Sequence, residues 1–129
     1  MLERRRRELD LVLGRYGEIE TGSDLDWVII KRFPLAPGWN KAETPVLVMI
    51  RPGYPTVPPD NFYVDNDLRL ANGQDPTNAS RNQKQLGRPW LMFSYHVDES
   101  EWKPHPDLLE GHNLLTFLLG VGRRLSEVS

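Results

Sequence analysis

The chain has 129 residues, 39% of them hydrophobic and 26% charged, which is an ordinary globular composition with enough apolar surface to bury a core. The formal net charge of −2 argues against nucleic acid as the main partner, because phosphate binding needs clustered positive charge. Cysteine is absent, which excludes disulfides and thiolate chemistry within the chain.

We predict a single domain spanning residues 1–129. No apolar run approaches the roughly 18 residues of a membrane helix, and charge follows Leu2 at once where a signal peptide would be apolar. These patterns predict a cytoplasmic protein that does not engage a membrane, and they leave its oligomeric state open.

Residues 2–14 show the spacing of an amphipathic helix, with Leu2, Leu9, Val12 and Leu13 on one face. The opposite face carries four consecutive basic residues, Arg4, Arg5, Arg6 and Arg7. Because acidic side chains such as Glu8 surround this run, we interpret it as a solvated helix face, with a basic docking site as the alternative.

Two strands joined by a loop are predicted next. Residues 27–33 combine aromatic and β-branched side chains, and residues 46–50 form the most apolar strand candidate of the chain. The prolines and glycine in residues 34–40 favour a loop that returns the chain antiparallel. Residues 51–59 follow, where four prolines exclude a central strand and favour a rigid extended band along the surface.

The remaining predicted elements are a third strand, a long loop, a further strand-like segment and a final helix. Residues 61–64 predict the third strand, residues 65–89 have the polar, turn-rich composition of a long irregular loop, and residues 90–93 are strand-like. Asp107, with Glu110 three residues later, predicts the start of the C-terminal helix. This order predicts an α+β fold in which helices cover one side of an antiparallel sheet.

Two spaced motifs then indicate a family. Residues 54–59 read Tyr-Pro-Thr-Val-Pro-Pro, and Trp102 is followed two positions later by Pro104. With this spacing the chain resembles the ubiquitin-conjugating enzymes (the UBC-like superfamily), and residues 37–40, 59–63 and 90–107 are most similar to the prokaryotic ubiquitin-conjugating family E. The resemblance covers most of the chain and implies a UBC-like fold, with an N-terminal helix, an antiparallel β-meander, a long active-site loop and a C-terminal helix.

The resemblance also implies an activity and partners. A protein of this family accepts a ubiquitin-like protein from an activating enzyme and transfers it, and no metal or organic cofactor is implied. By the same analogy, the helix that carries the four arginines would face the activating enzyme. In the family a catalytic cysteine lies eight residues before the tryptophan, and Ser94 occupies that place in this chain. The His-Pro-Asn motif that usually precedes the cysteine is replaced by Lys84-Gln85-Leu86.

Ser94, His96 and Asp98 form a candidate catalytic row. Alternate residues of an extended segment project to the same side, so His96 is the candidate base for Ser94, and Asp98 is the candidate carboxylate that orients His96. A serine hydroxyl is far less acidic than a thiol and attacks poorly without a base. The same polar spacing is also typical of any half-exposed strand.

Three interpretations of Ser94 remain open. It is the natural nucleophile and carries the ubiquitin-like protein as an oxyester, or it replaces a natural cysteine, or the domain is a catalytically inactive binding or adaptor module. Asn78 and Asn82 lie nearby in the sequence, with nothing to assign either of them the family's oxyanion-stabilising role. His105 and His112 lack a convincing third metal ligand, so we expect them to have capping or surface roles.

Overall fold

Two helices cover one face of a six-stranded antiparallel sheet in the computed structural model, which describes residues 2–129. The elements in chain order are α1 (Leu2–Tyr16), β1 (Ile19–Thr21), β2 (Trp27–Pro34), β3 (Glu43–Met49), β4 (Phe62–Asp65), β5 (Ala79–Gln85), β6 (Arg88–Phe93), a short 3₁₀ helix (Leu108–Glu110) and α2 (Leu114–Ser126). The spatial order of the strands is β1-β2-β3-β4-β6-β5. Within the described residues, neither helix is long and apolar enough to cross a membrane.

The predicted α+β fold class is confirmed. The N-terminal helix, the antiparallel meander from β2 to β4 and the C-terminal helix all occur in the predicted order. The alternating burial of β2 and the nearly continuous burial of β3 explain why the apolar pattern predicted these strands.

The prediction that residues 65–89 form one long irregular loop is wrong in its second half. Residues 79–85 form β5, which pairs with β6 and lies at the edge of the sheet. Leu86 and Gly87 join the two strands with positive φ angles of 52° and 77°, as a two-residue hairpin turn requires. Most of β5 is exposed and almost entirely polar, so it shows neither the alternation nor the apolar run that predicts a strand.

The predicted start of the C-terminal helix is also wrong. The carboxylate of Asp107 accepts a hydrogen bond from the backbone N–H of Leu109 (3.0 Å), but it caps only the short 3₁₀ helix. The chain is extended at Gly111, and α2 begins after Asn113. Asn113 and Thr116 exchange side-chain to backbone hydrogen bonds in a capping box, which satisfies two backbone donors at the helix start.

The sheet buries apolar side chains on both faces. On the inner face, the main core joins the strands to both helices; Val12 of α1 and Leu118 of α2 are fully buried there. On the outer face, a smaller cluster contains Leu47, Tyr63 and Trp90, and the guanidinium group of Arg88 lies 3.5 Å from the ring centroid of Trp90. Helices therefore cover only the inner face.

Candidate functional site

The two motifs that suggested the family contact each other. The indole N–H of Trp102 donates a hydrogen bond to the carbonyl oxygen of Pro55 (2.7 Å), and the rings of Trp102 and Tyr54 have centroids 6.4 Å apart. His112 stacks on Trp102 with a centroid distance of 5.3 Å. The proline-rich band is thereby held against the segment that leads from β6 to α2.

A buried carboxylate on α1 holds the band from the other side. Glu8 is fully buried and accepts hydrogen bonds from the hydroxyl of Tyr54, from the backbone N–H of Leu114 (2.7 Å) and from the guanidinium group of Arg4 (2.8 Å). Burial and the nearby negative charge of Glu8 raise the pKa of Tyr54, so the phenol remains a donor. Glu8 joins α1, the band and the first residue of α2.

The prediction that the charged face of α1 is solvated is wrong for Glu8, which is fully buried, and for Arg4, whose side chain is only 16% exposed. Arg4 Nη1 donates a hydrogen bond to the carbonyl oxygen of His105 (2.7 Å), and Arg5 Nη1 donates to the carbonyl oxygen of Leu25 (3.1 Å). Within the basic run, only Arg6 and Arg7 are exposed, and their side chains make no hydrogen bond with another described residue.

Tyr95 anchors the segment that carries the candidate catalytic row. Its ring packs edge-on against Phe62 and Phe117, with centroid distances of 5.8 and 5.5 Å. Asn61 donates its backbone N–H to the carbonyl oxygen of Tyr95 (2.8 Å) and accepts the N–H of Tyr95 at Oδ1 (3.1 Å). The absence of a side chain at Gly120 leaves room for the Tyr95 hydroxyl, since a Cβ there would lie 2.1 Å from it.

This anchor turns the predicted row of polar side chains outward. Tyr95 and Val97 pack against the main core, whereas Ser94, His96 and Asp98 are exposed. The backbone N–H of Ser94 donates to the carbonyl oxygen of Asn78 (2.8 Å), which fixes the end of β6 beside the start of β5. Ser94 therefore lies at the surface, where a large substrate has access to its hydroxyl.

The structure gives His96 a carboxylate partner that the sequence did not suggest. His96 Nδ1 lies 2.5 Å from Oδ1 of Asp60, the residue that follows the proline band. Asp98 instead accepts hydrogen bonds from the backbone N–H and hydroxyl of Ser100 (2.9 and 2.7 Å), which lower the pKa of Asp98. Within residues 2–129, no hydrogen bond joins Ser94 to His96 or His96 to Asp98.

Asp60, Asn61 and Tyr95 are the residues of this site that sequence reasoning missed. Asp60 and His96 are 36 positions apart in the chain, and Asn61 and Tyr95 are 34 apart, so no local pattern links them. Two signals were present in the sequence: the polar pair Asp60-Asn61 follows the last proline of the band, and all three residues lie in stretches that resemble the family. Neither signal assigns these residues a role.

The two asparagines near Ser94 have different surroundings. Asn82 Oδ1 accepts a hydrogen bond from the side-chain amide of Asn66 (2.9 Å), which directs the Asn82 amide toward the loop after β4. Asn78 is exposed, and its backbone carbonyl accepts the N–H of Ser94. Asn78 is thus the asparagine that the structure brings beside Ser94.

The histidines on either side of the 3₁₀ helix serve local structure. His105 Nδ1 accepts the backbone N–H of Asp107, and His112 Nδ1 accepts the backbone N–H of Lys103, both at 2.9 Å. Across the described chain, no group of three or more His, Asp or Glu side chains is arranged to hold a metal ion.

The fold and a family model together define the class of the protein. The N-terminal helix, the antiparallel sheet, the proline band held by Trp102 and the C-terminal helix agree with the UBC-like fold predicted from the sequence. The family model described as prokaryotic E2 family E matches residues 2–125, nearly the whole chain, and the chain belongs to that family. No curated protein and no solved structure matches the chain. The predicted family is confirmed, and membership suggests a ubiquitin-conjugating-like role.

Proposed function

We propose that this chain accepts a ubiquitin-like protein from an activating enzyme and transfers it onward, with Ser94 as the acyl carrier, as a single bacterial UBC-like transferase domain. The observation that carries the proposal is the position of Ser94. It is exposed at the end of β6 and is held there by its N–H bond to Asn78 and by the partly buried Tyr95 beside it. By the resemblance described in the sequence analysis, its place eight residues before Trp102 is that of the catalytic cysteine in ubiquitin-conjugating enzymes.

The proposed chemistry consists of two acyl transfers. The hydroxyl oxygen of Ser94 attacks the thioester carbonyl that links the ubiquitin-like protein to the activating enzyme; the C–S bond breaks and an ester forms at Ser94. His96 takes the hydroxyl proton directly or through one water and passes it to the leaving thiolate. An amine of the target then attacks the ester, the C–O bond breaks, and the proton released by the amine returns to Ser94.

We propose that Asp60, and not Asp98 as the sequence suggested, is the carboxylate that orients His96. A carboxylate on Nδ1 keeps a proton on that nitrogen, which leaves Nε2 as the acceptor for the Ser94 proton. Asp98 then supports the site indirectly, through the turn that it forms with Ser100. Asn78 is the candidate to stabilise the negative charge that develops on the carbonyl oxygen.

We propose that α1 faces the activating enzyme through the exposed Arg6 and Arg7. Arg4 and Arg5 donate hydrogen bonds to the carbonyl oxygens of His105 and Leu25, so they hold α1 in position and do not themselves contact the activating enzyme in this proposal. A cytoplasmic location remains a prediction from the sequence.

The test is a charging reaction. The protein is mixed with the ubiquitin-like protein and activating enzyme encoded beside it, ATP and Mg²⁺, and an adduct that hydroxylamine cleaves is sought. We expect the wild type to form this adduct, Ser94→Ala to lose it, and Ser94→Cys to form it faster, because a thiol is the better nucleophile. Ser80→Ala, which changes an exposed serine on β5, is the matched control.

A binding or adaptor module is the second candidate. It is favoured by one observation, the absence of a hydrogen bond from the Ser94 hydroxyl to a base in the described part of the chain. An adduct that survives Ser94→Ala would exclude Ser94 as the carrier. If no adduct forms but the ubiquitin-like protein still binds, the adaptor function is supported instead.

A further inference from the structure

A groove lies between the C-terminal ends of α1 and α2, over the end of β2. It has a volume of about 720 Å³, which is within the range of roughly 300–1,000 Å³ for ligand pockets. Its floor is apolar and includes the buried Phe33 and Leu125, together with Tyr16, which stacks on Phe33 at 5.2 Å. Leu119 of α2 is 38% exposed at its edge.

The charge of the groove differs in sign from that of the whole chain. Arg15, Arg32 and Arg123 line it and no acidic residue does, although the formal net charge of the protein is −2. Glu18 and Glu43 each lie 4.0 Å from Arg32, but all three side chains are more than half exposed. Such surface pairs contribute little, so the guanidinium group of Arg32 is available to another carboxylate.

The backbone at the groove has a free strand edge. β1 pairs with β2 only from Val28 to Ile30, while β3 continues along β2 to Pro34. Within the described residues, the stretch of β2 at residues 32–34 therefore has a strand partner on one side only. An unpaired edge beside an apolar floor favours an extended peptide over a compact small molecule.

We propose that this groove binds an extended acidic segment of a partner protein. The segment lies beside residues 32–34 of β2, places one large apolar side chain on Phe33 and Leu125, and pairs its carboxylates with the three arginines. Guanidinium groups match carboxylates in bidentate geometry, and no carboxylate lines the groove itself. Glu18 and Glu43 flank Arg32 from outside the groove, so Arg15 and Arg123 are the arginines that an acidic segment meets without a competing carboxylate. The inference is independent of the chemistry proposed at Ser94.

The test uses a defined peptide and the full chain. A fluorescein-labelled Glu-Asp-Leu-Phe-Asp-Glu-amide is titrated with the protein and followed by fluorescence anisotropy. We expect saturable binding that weakens about tenfold or more in Arg123→Glu and in Leu119→Asp, the size of effect from losing one charge-assisted hydrogen bond or one apolar contact. Amide shifts in a ¹⁵N-labelled sample should cluster at the groove.

Two variants elsewhere on the surface serve as matched controls. Leu109→Asp changes an apolar side chain that is 84% exposed on the 3₁₀ helix, and Lys84→Glu reverses an exposed charge on β5; neither should change the affinity. A peptide with the sequence Lys-Lys-Leu-Phe-Lys-Lys should not bind, and Glu-Asp-Ser-Gly-Asp-Glu should bind at least about tenfold more weakly.

Three results would overturn the proposal. The first is no saturable binding of the acidic peptide to folded protein. The second is equal affinity for the peptides with and without the apolar pair, which would indicate a simple anion surface. The third is a short oligothymidylate that binds this groove more tightly than the peptide, which would indicate nucleic acid as the occupant.

Discussion

At the scale of single residues, the buried carboxylate of Glu8 explains how α1 is fixed to the site. A charged side chain that is fully buried needs partners for its oxygens, and Glu8 has three: Tyr54, Leu114 and Arg4. Because these partners belong to the band, α2 and α1, removing the carboxylate leaves polar groups in three elements unsatisfied.

We expect Glu8→Ala to lower the free energy of unfolding by about 3–5 kcal/mol, since it breaks a buried ion pair. Tyr54→Phe removes one hydrogen bond to the charged group and should cost about 1.5–3 kcal/mol. Glu3→Ala, on the exposed first turn of the same helix, should change stability by no more than about 0.5 kcal/mol. Urea denaturation measures all three. Equal small losses for Glu8→Ala and Glu3→Ala would contradict the described role of Glu8.

At the scale of elements, the packing of α2 sets the position of the segment that carries Ser94. Gly120 of α2 leaves the space that the Tyr95 hydroxyl fills, and Tyr95 is the inward residue between Ser94 and His96. A side chain added at Gly120 should therefore displace Tyr95 and, with it, the neighbouring residues Ser94 and His96.

We expect Gly120→Ala to be less stable than Gly14→Ala by about 1–3 kcal/mol, the cost of overpacking. Both substitutions gain the helix propensity of alanine, and nothing lies within 4 Å of a Cβ built at Gly14, so the difference isolates the contact with Tyr95. Thermal or urea unfolding gives the comparison. Displaced amide resonances of Ser94 and His96 in Gly120→Ala alone would support the link to the site, and unchanged resonances would argue against it.

The irregular segment between β4 and β5 depends on Arg81. Its guanidinium group donates to the carbonyl oxygens of Asn66 and Leu68 (2.9 Å for Leu68) and to Oδ1 of Asp75 (2.7 Å). The hydrogen bond from Arg81 is the main cause that lowers the pKa of Asp75. A lowered pKa means that this contribution to stability is present above the unfolded value of about 3.9 and is lost as the pH falls through the folded value.

We therefore expect the amides of Leu68 and Leu70 to exchange faster with solvent at pH 3 than at pH 7, after correction for the intrinsic exchange rate. Arg81→Ala should produce the same loss of protection at pH 7, whereas Lys84→Ala should not. Native-state hydrogen exchange measures these rates. Protection that is independent of pH and of Arg81 would show that other contacts order this segment.

At the scale of the whole molecule, the fold could be predicted where burial imposes a pattern. β2 and β3 carry apolar side chains because the core covers them, and α1 shows helical spacing because Leu9 and Val12 face that core. β5 could not be predicted in this way, since an exposed edge strand is held by its hydrogen bonds to β6 and carries few apolar side chains. The capping pattern at Asp107 gave a wrong start for the C-terminal helix. A cap depends only on neighbouring residues, and the helix that Asp107 caps ends after one turn.

The candidate site could be predicted only in part from the sequence. The distance of eight residues between Ser94 and Trp102 could be read directly, and the alternation that exposes Ser94, His96 and Asp98 is present in the structure. The partner of His96 could not be predicted from the sequence. Asp60 lies next to His96 only because β4 pairs with β6. Contacts between distant segments depend on topology, which local spacing does not specify.

The central claim is that Ser94 carries the ubiquitin-like protein. Peptide mapping of the wild-type protein, after the ubiquitin-like protein has been attached to it, tests this claim most directly. After reaction with the activating enzyme, ATP and the ubiquitin-like protein, the adduct is digested and the modified residue is identified by mass spectrometry. We predict the C-terminal remnant of the ubiquitin-like protein in ester linkage at Ser94, removed by hydroxylamine. A remnant found only in amide linkage on lysine, or no adduct with partners shown to be active, would contradict this account.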